Sequence, residues 1–116
     1  MKHRKNIKIL DRNATARKAL LRGLANNFVL HEKIKTTEAK AKVLRSVIER
    51  CITTAKKGDL AARRRLSSYL YTTGAVKKMM EEIGPRYKDR KGGYTRITKL
   101  DTNRKDAAKM ALIEFV

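Results

Sequence analysis

The stretch TEAKAKVLRSVIERCITTAKKG, residues 37–58, predicts the longest helix of the chain. Thr37 is a favourable N-cap, an acidic residue follows it, two lysines occupy the last turn, and Gly58 ends the helix. Small and apolar side chains recur along one face at helical spacing, at Leu44, Val47, Ile48, Cys51 and Ala55. The pattern predicts a helix that buries this face against the rest of a domain.

Further helices are predicted on both sides of this segment. Asn13 is a good N-cap for a first helix from about Ala14 to Leu30, and Asp59 can cap a third. A short fourth helix should end at Gly84 and Pro85, because Pro cannot continue a helix easily. The first helix has apolar residues at helical spacing, namely Ala16, Leu20, Leu21, Leu24 and Phe28. The fourth helix has such residues at Val76, Met79, Met80 and Ile83, and we interpret its methionines as core.

Three short segments predict strands. Residues 33–36 are too few for a helix and favour a brief strand or an extended link, while 94–100 and 110–116 are rich in β-branched, aromatic and apolar residues. Residues 85–93 read as a polar loop and 101–106 as a turn region. The order of an arm, a helix, a strand, three helices and two strands predicts an α+β fold.

Composition restricts the class of protein. The chain has 116 residues, and 41% hydrophobic residues suffice for one domain with a largely aliphatic core. Thirty Lys and Arg against eleven Asp and Glu give a net charge of +19, which implies a polyanionic partner, most often nucleic acid. No apolar run is long enough to span a bilayer. The single cysteine, Cys51, excludes an internal disulfide and suits a reducing compartment.

The positive charge is concentrated at both ends of the chain. Residues 1–22 have eight basic residues and one acid, a net charge of +7, whereas residues 23–84 have the same net charge over nearly three times the length. Residues 85–116 have a net charge of +5. We therefore divide the chain into a basic N-terminal arm, residues 1–12, and one globular domain, residues 13–116, with the contact regions at the two flanks.

The sequence contains no recognisable catalytic or metal-binding pattern. His3 and His31 lie far apart in the sequence, and the adjacent Glu81 and Glu82 would point in different directions on a helix. The pair Gly92–Gly93 lacks the Lys-Ser/Thr that follows in a phosphate-binding loop. The sequence thus predicts neither an enzyme nor a metal or cofactor site.

Three groups of basic residues are candidate nucleic-acid contacts, and each has a simpler alternative. The arm, for which a solvated tail is the less favoured alternative, has Lys2, His3, Arg4, Lys5, Lys8 and Arg12. Lys18 and Arg22, one turn apart, extend this charge onto the first helix or form an ordinary solvated face. The third group could stack on bases and hold phosphates, or could be a plain surface loop, and comprises Arg86, Tyr87, Lys88, Arg90, Lys91, Gly92, Gly93, Tyr94, Thr95 and Arg96. We expect at least one of Arg63, Arg64 and Arg65 to serve only solubility, because they point three ways around a helix.

Four blocks of the sequence resemble the bacterial large-subunit ribosomal protein L17 family. They are the opening MKHRK, residues 12–22, the segment IKTTEAKAK at 34–42, and GPR at 84–86 together with GGYTRI at 92–97. The resemblance implies a two-layer domain with a small mixed sheet, binding to large-subunit ribosomal RNA, neighbouring large-subunit proteins and a position near the nascent-chain tunnel exit of cytoplasmic ribosomes. The matched blocks add Arg17 and Lys35 to the RNA-binding residues.

The sequence is best interpreted as a structural ribosomal RNA-binding protein. The alternative is a DNA-binding module that uses the second and third helices around Gly58 as a helix-turn-helix. That alternative does not explain two separate basic flanks. A nucleic-acid enzyme, the third class, lacks the acidic or histidine clusters that it would need.

Overall fold

The computed structural model describes residues 13–100 and 109–116 as an α+β fold, which confirms the predicted class. The elements are α1 (Ala14–His31), β1 (Lys33–Thr37), α2 (Glu38–Lys56), α3 (Leu60–Tyr69), α4 (Thr73–Lys78), a π-helical segment (Met79–Ile83), α5 (Gly84–Arg86), β2 (Thr95–Leu100) and β3 (Met110–Phe115). The predicted arm, residues 1–12, and the predicted turn, residues 101–106, lie outside the described residues.

All three predicted N-caps are confirmed. The Asn13 side chain accepts a hydrogen bond from the Ala16 N–H at 2.8 Å, and the Asp59 side chain accepts one from the Ala62 N–H at 2.8 Å. At the start of α2, the Thr37 hydroxyl accepts a longer bond of 3.4 Å from an amide three residues on. Each cap satisfies an amide that has no partner inside its helix.

The sheet has three strands in the order β1-β3-β2, and both neighbouring pairs are antiparallel. The mixed sheet implied by the family resemblance is therefore wrong. β1 and β2 do run in the same direction, but β3 lies between them, so no parallel pair forms. Ile113 of β3, which is fully buried, stands opposite Ile34 on one side and Ile97 on the other.

The core lies where α2 packs against the sheet and α1. All five residues of the predicted α2 stripe are buried, together with Ile52. In α1 only the second half is buried, at Ala25, Asn26, Phe28 and Val29. The predicted α1 stripe is thus wrong at its start: Ala16 is exposed and Leu20 is half-buried, because only the C-terminal half of α1 faces the core.

The helical segment that begins with α4 does not stop at Gly84 and Pro85 as predicted. It widens to a π-helical turn over Met79–Ile83 and continues to Arg86. Pro85 is tolerated at the start of the next turn, where its missing N–H is no loss. Met79 is fully buried and Met80 packs against the core, which confirms the interpretation of the methionines as core residues.

Candidate nucleic-acid interface

Tyr87 and Tyr94, the two aromatic residues of the predicted contact loop, are buried. Their exposed fractions are 4% and 3%, and their ring centroids lie 5.2 Å apart. The Tyr87 hydroxyl donates to the backbone carbonyl of Val116 at 2.7 Å. The predicted role of these rings in stacking on RNA bases is therefore wrong, because both faces of the loop's aromatic pair are occupied by the domain itself.

Lys56, the last residue of α2, binds the loop of residues 87–94 at two points. Its ammonium donates to the Tyr94 hydroxyl at 3.0 Å and to the backbone carbonyl of Arg90, and it lies 5.2 Å from the Tyr94 ring centroid. Gly93 has φ +64, so a glycine suits this turn. These contacts hold the loop in one shape while Lys88, Arg90 and Lys91 remain exposed.

Arg86 is part of an ion-pair cluster rather than a free cation. Its guanidinium donates to both carboxylate oxygens of Glu32, at 2.6 and 3.3 Å, and the Lys78 ammonium lies 3.0 Å from the same carboxylate. The Arg86 hydrogen bond, with the Lys78 bond and both charges, lowers the pKa of Glu32 to about 2 against some opposition from burial. The cluster joins the end of α1 to α4 and α5.

Arg22 is likewise engaged within the domain. It donates to the backbone carbonyls of Tyr69 at 2.7 Å and Ser68 at 3.3 Å, and its guanidinium lies 4.6 Å from the Tyr71 ring centroid. These contacts join α1 to the end of α3. Lys18, its predicted partner one turn earlier, is exposed and has no ion pair with any residue of 13–100 or 109–116.

Lys35 and Arg96 lie on one face of the sheet, although 61 positions separate them in the sequence. Lys35 stands opposite Leu112, and Arg96 stands opposite Glu114. Leu112 and Glu114 alternate along β3 with the buried Ala111 and Ile113. Since successive side chains of a strand point to opposite faces, the face with Lys35 and Arg96 points away from the core. The Arg96 guanidinium lies 3.6 Å from the Glu114 carboxylate but remains 60% exposed.

The predicted site residues thus separate into two sets. Arg22, Arg86 and Tyr94 serve internal contacts. The other predicted basic residues, which we call the cationic surface, are exposed, although Arg90 donates to the Gly92 carbonyl and Arg96 pairs with Glu114; they are Lys18, Lys35, Lys88, Arg90, Lys91 and Arg96. Arg17 is half-buried, Gly92 and Gly93 are exposed, and the arm residues Lys2, His3, Arg4, Lys5, Lys8 and Arg12 fall outside the described part of the chain.

Sequence reasoning missed the role of Lys56, because nothing in its helical position indicates a partner 38 residues later. Among the described residues, no group of three or more His, Cys, Asp or Glu could hold a metal ion. In the same residues, no helix is both long and apolar enough to cross a bilayer.

The fold and its cationic surface define a small, strongly basic α+β domain, and comparison with protein families identifies its class as ribosomal protein. The family model described as ribosomal protein L17 matches residues 20–116. The chain therefore belongs to the ribosomal protein L17 family, which confirms the resemblance and makes it a structural protein rather than an enzyme.

Curated relatives match over nearly their whole length. A protein of Hydrogenobaculum sp. is 52% identical over 118 residues, covering 100% of this chain and 99% of the relative. Proteins of Halalkalibacterium halodurans and Desulfitobacterium hafniense are each 50% identical, covering 92% of this chain and 96% of the relative. All three relatives are named large ribosomal subunit protein bL17.

Proposed function

We propose that the protein is a structural constituent of the large ribosomal subunit that binds large-subunit ribosomal RNA and supports subunit assembly. Its place is near the exit of the nascent-chain tunnel, among neighbouring large-subunit proteins of cytoplasmic ribosomes. The names of the relatives and the net charge of +19 support this proposal. No catalytic step, metal or cofactor is part of it.

The observation that carries the proposal is the contrast between engaged and free cations. The domain uses Arg22, Lys56 and Arg86 to hold its own elements together. Lys88 and Lys91 are exposed on the loop that Lys56 holds in place, and neither makes an ion pair within the described residues. Because this loop is already ordered, it can bind phosphate groups without a further loss of conformational entropy.

Co-sedimentation with large subunits and a salt titration on large-subunit ribosomal RNA test the loop. The variant Lys88→Gln/Lys91→Gln should lower affinity and reduce the slope of log affinity against log salt by about one to two units. A matched control, Lys57→Gln/Lys77→Gln, removes the same charge from exposed lysines outside the cationic surface that make no ion pair within the described residues. Equal losses in both variants would show that only total charge matters and that the loop is no specific contact.

The basic arm is tested by deleting residues 1–12. This segment has five Lys or Arg and one acid, so we expect it to follow phosphates as an extended segment. Deletion should reduce RNA affinity and the salt slope while leaving the melting temperature nearly unchanged. A collapsed melting temperature with an unchanged slope would mean that the arm is part of the domain core.

The same salt titration, carried out on duplex DNA as well as on ribosomal RNA, separates RNA binding from the alternative of a DNA-binding helix-turn-helix module. α2 and α3 are joined by a short turn in which Gly58 has φ +67, a connection that a helix-turn-helix could also have. Preferential binding to duplex DNA of defined sequence, with no binding to large subunits, would favour the DNA-binding module.

A further inference from the structure

A surface groove lies between α2 and α3. α2 contributes side chains at helical spacing, and α3 closes the other side, so the lining consists of Val47, Arg50, Cys51, Thr54, Arg65, Leu66 and Tyr69. Its volume is about 160 Å³. Pockets for whole small-molecule ligands are roughly 300–1,000 Å³, so this groove suits one planar ring or one side chain.

The two arginines at this groove are free to bind a ligand. Arg50 and Arg65 are exposed, and neither guanidinium makes a hydrogen bond or ion pair with the part of the chain that the structure describes. Residues 50–69 have six basic residues and only one acid, Asp59, whose carboxylate caps α3. An anionic ligand is thus favoured, and arginine pairs are suited to phosphate because each can donate two parallel hydrogen bonds.

The apolar part of the groove is fixed in advance. Leu66 is 2% exposed and Cys51 is 8% exposed, and both belong to the core. Tyr69 is half-buried, and Arg22 holds it through its backbone carbonyl and lies 5.9 Å from its ring centroid. An aromatic side chain beside free arginines is the arrangement on which proteins stack unpaired RNA bases.

We propose that this groove receives one unpaired base of the large-subunit ribosomal RNA, with the adjoining phosphate bound by Arg50 and Arg65. The inference rests on the proposed function and adds a contact that the sequence did not indicate. RNA is favoured over an acidic peptide because the groove combines an aromatic wall with two unpaired guanidiniums on a protein of net charge +19.

Charge-matched variants test the phosphate contact on purified large-subunit ribosomal RNA. Arg50→Gln and Arg65→Gln should each weaken binding about 10-fold, since a charge-assisted hydrogen bond is lost. Arg64→Gln is the control, because Arg64 is exposed on α3 beside Arg65 but does not line the groove. All three variants should melt like the wild-type protein. Equal effects of the three substitutions would overturn the proposal.

The single cysteine gives an independent measurement in the unaltered groove. Cys51 should react with iodoacetamide at least about 10-fold more slowly when the protein is bound to the RNA. Burial raises the pKa of this thiol to about 11, so the reaction is run at pH 9. An unchanged rate on RNA overturns the proposal, and so does protection that appears only in complete subunits, because a protein neighbour would then fill the groove.

The proposed function can fail separately from this inference. If the wild-type protein binds neither large subunits nor their RNA, the proposed function is wrong. If it binds both, but Cys51 stays reactive and Arg50→Gln behaves like Arg64→Gln, only the base-binding groove is wrong.

Discussion

Glu32 offers the sharpest test of how this fold is held together. It follows α1 at φ 65, a conformation that a non-glycine residue seldom adopts, and its backbone carbonyl accepts from the Phe115 N–H at 3.2 Å. Its carboxylate binds Arg86 and Lys78, which come from two later helical segments. We consider Glu32→Gln, which removes the charge and keeps the size of the side chain.

The expected loss follows from the lowered pKa. A shift from 4.5 to about 2 would correspond to about 3 kcal/mol if the carboxylate were shielded from solvent. The side chain is 37% exposed, so water and salt weaken these ion pairs. We expect Glu32→Gln to lower the free energy of unfolding by about 1–2 kcal/mol at pH 7. Glu82→Gln, an exposed carboxylate on the π-helical segment, should cost less than about 0.5 kcal/mol.

The loss should depend on pH with a definite sign. Because folding lowers the pKa of Glu32, its stabilisation is complete above about pH 4.5 and disappears as the pH falls towards 2. Urea denaturation followed by circular dichroism at pH 7, 5, 4 and 3 measures the difference between wild type and variant. The reasoning is refuted if this difference is as large at pH 3 as at pH 7, or if Glu82→Gln costs as much.

Substitutions at three further buried residues test the core by denaturant unfolding. Ile48→Ala should cost roughly 2–5 kcal/mol because Ile48 is fully buried, whereas Ser46→Ala on the exposed face should cost under about 0.5 kcal/mol. Tyr94→Ala should lower the free energy of unfolding by roughly 3–5 kcal/mol, because the ring is buried. Tyr94→Phe, which removes only the hydroxyl, should lower it by about 1 kcal/mol. If Tyr94→Ala instead weakened RNA binding without a change in stability, the predicted stacking of Tyr94 on RNA bases would be supported. Gly84→Ala should cost roughly 1–3 kcal/mol, since its new Cβ would lie 3.0 Å from the Ala55 carbonyl oxygen.

The local elements could be predicted from the sequence because their signals are local. Asn13, Thr37 and Asp59 cap helices through amides only three residues away, and the α2 stripe depends on a spacing of three and four residues. The strand segments were recognisable from their composition. The predicted helix end at Gly84 and Pro85 was wrong, because the sequence does not show that Gly84 packs against the Ala55 backbone of α2, a long-range contact that calls for a glycine whether or not the helix ends there.

The sequence by itself determined the helices, the strands, the charge and the family, since composition and local spacing are written in consecutive residues. Only the tertiary structure decided which cations are free. Nothing in the sequence distinguishes the engaged cations Arg22, Lys56 and Arg86 from the free cations Lys88 and Lys91. The hydrogen-bond partners of the engaged cations lie between 34 and 54 positions away in the chain. A charged side chain is available to RNA only when the fold leaves it without such a partner, and this depends on which elements pack together rather than on the residue type.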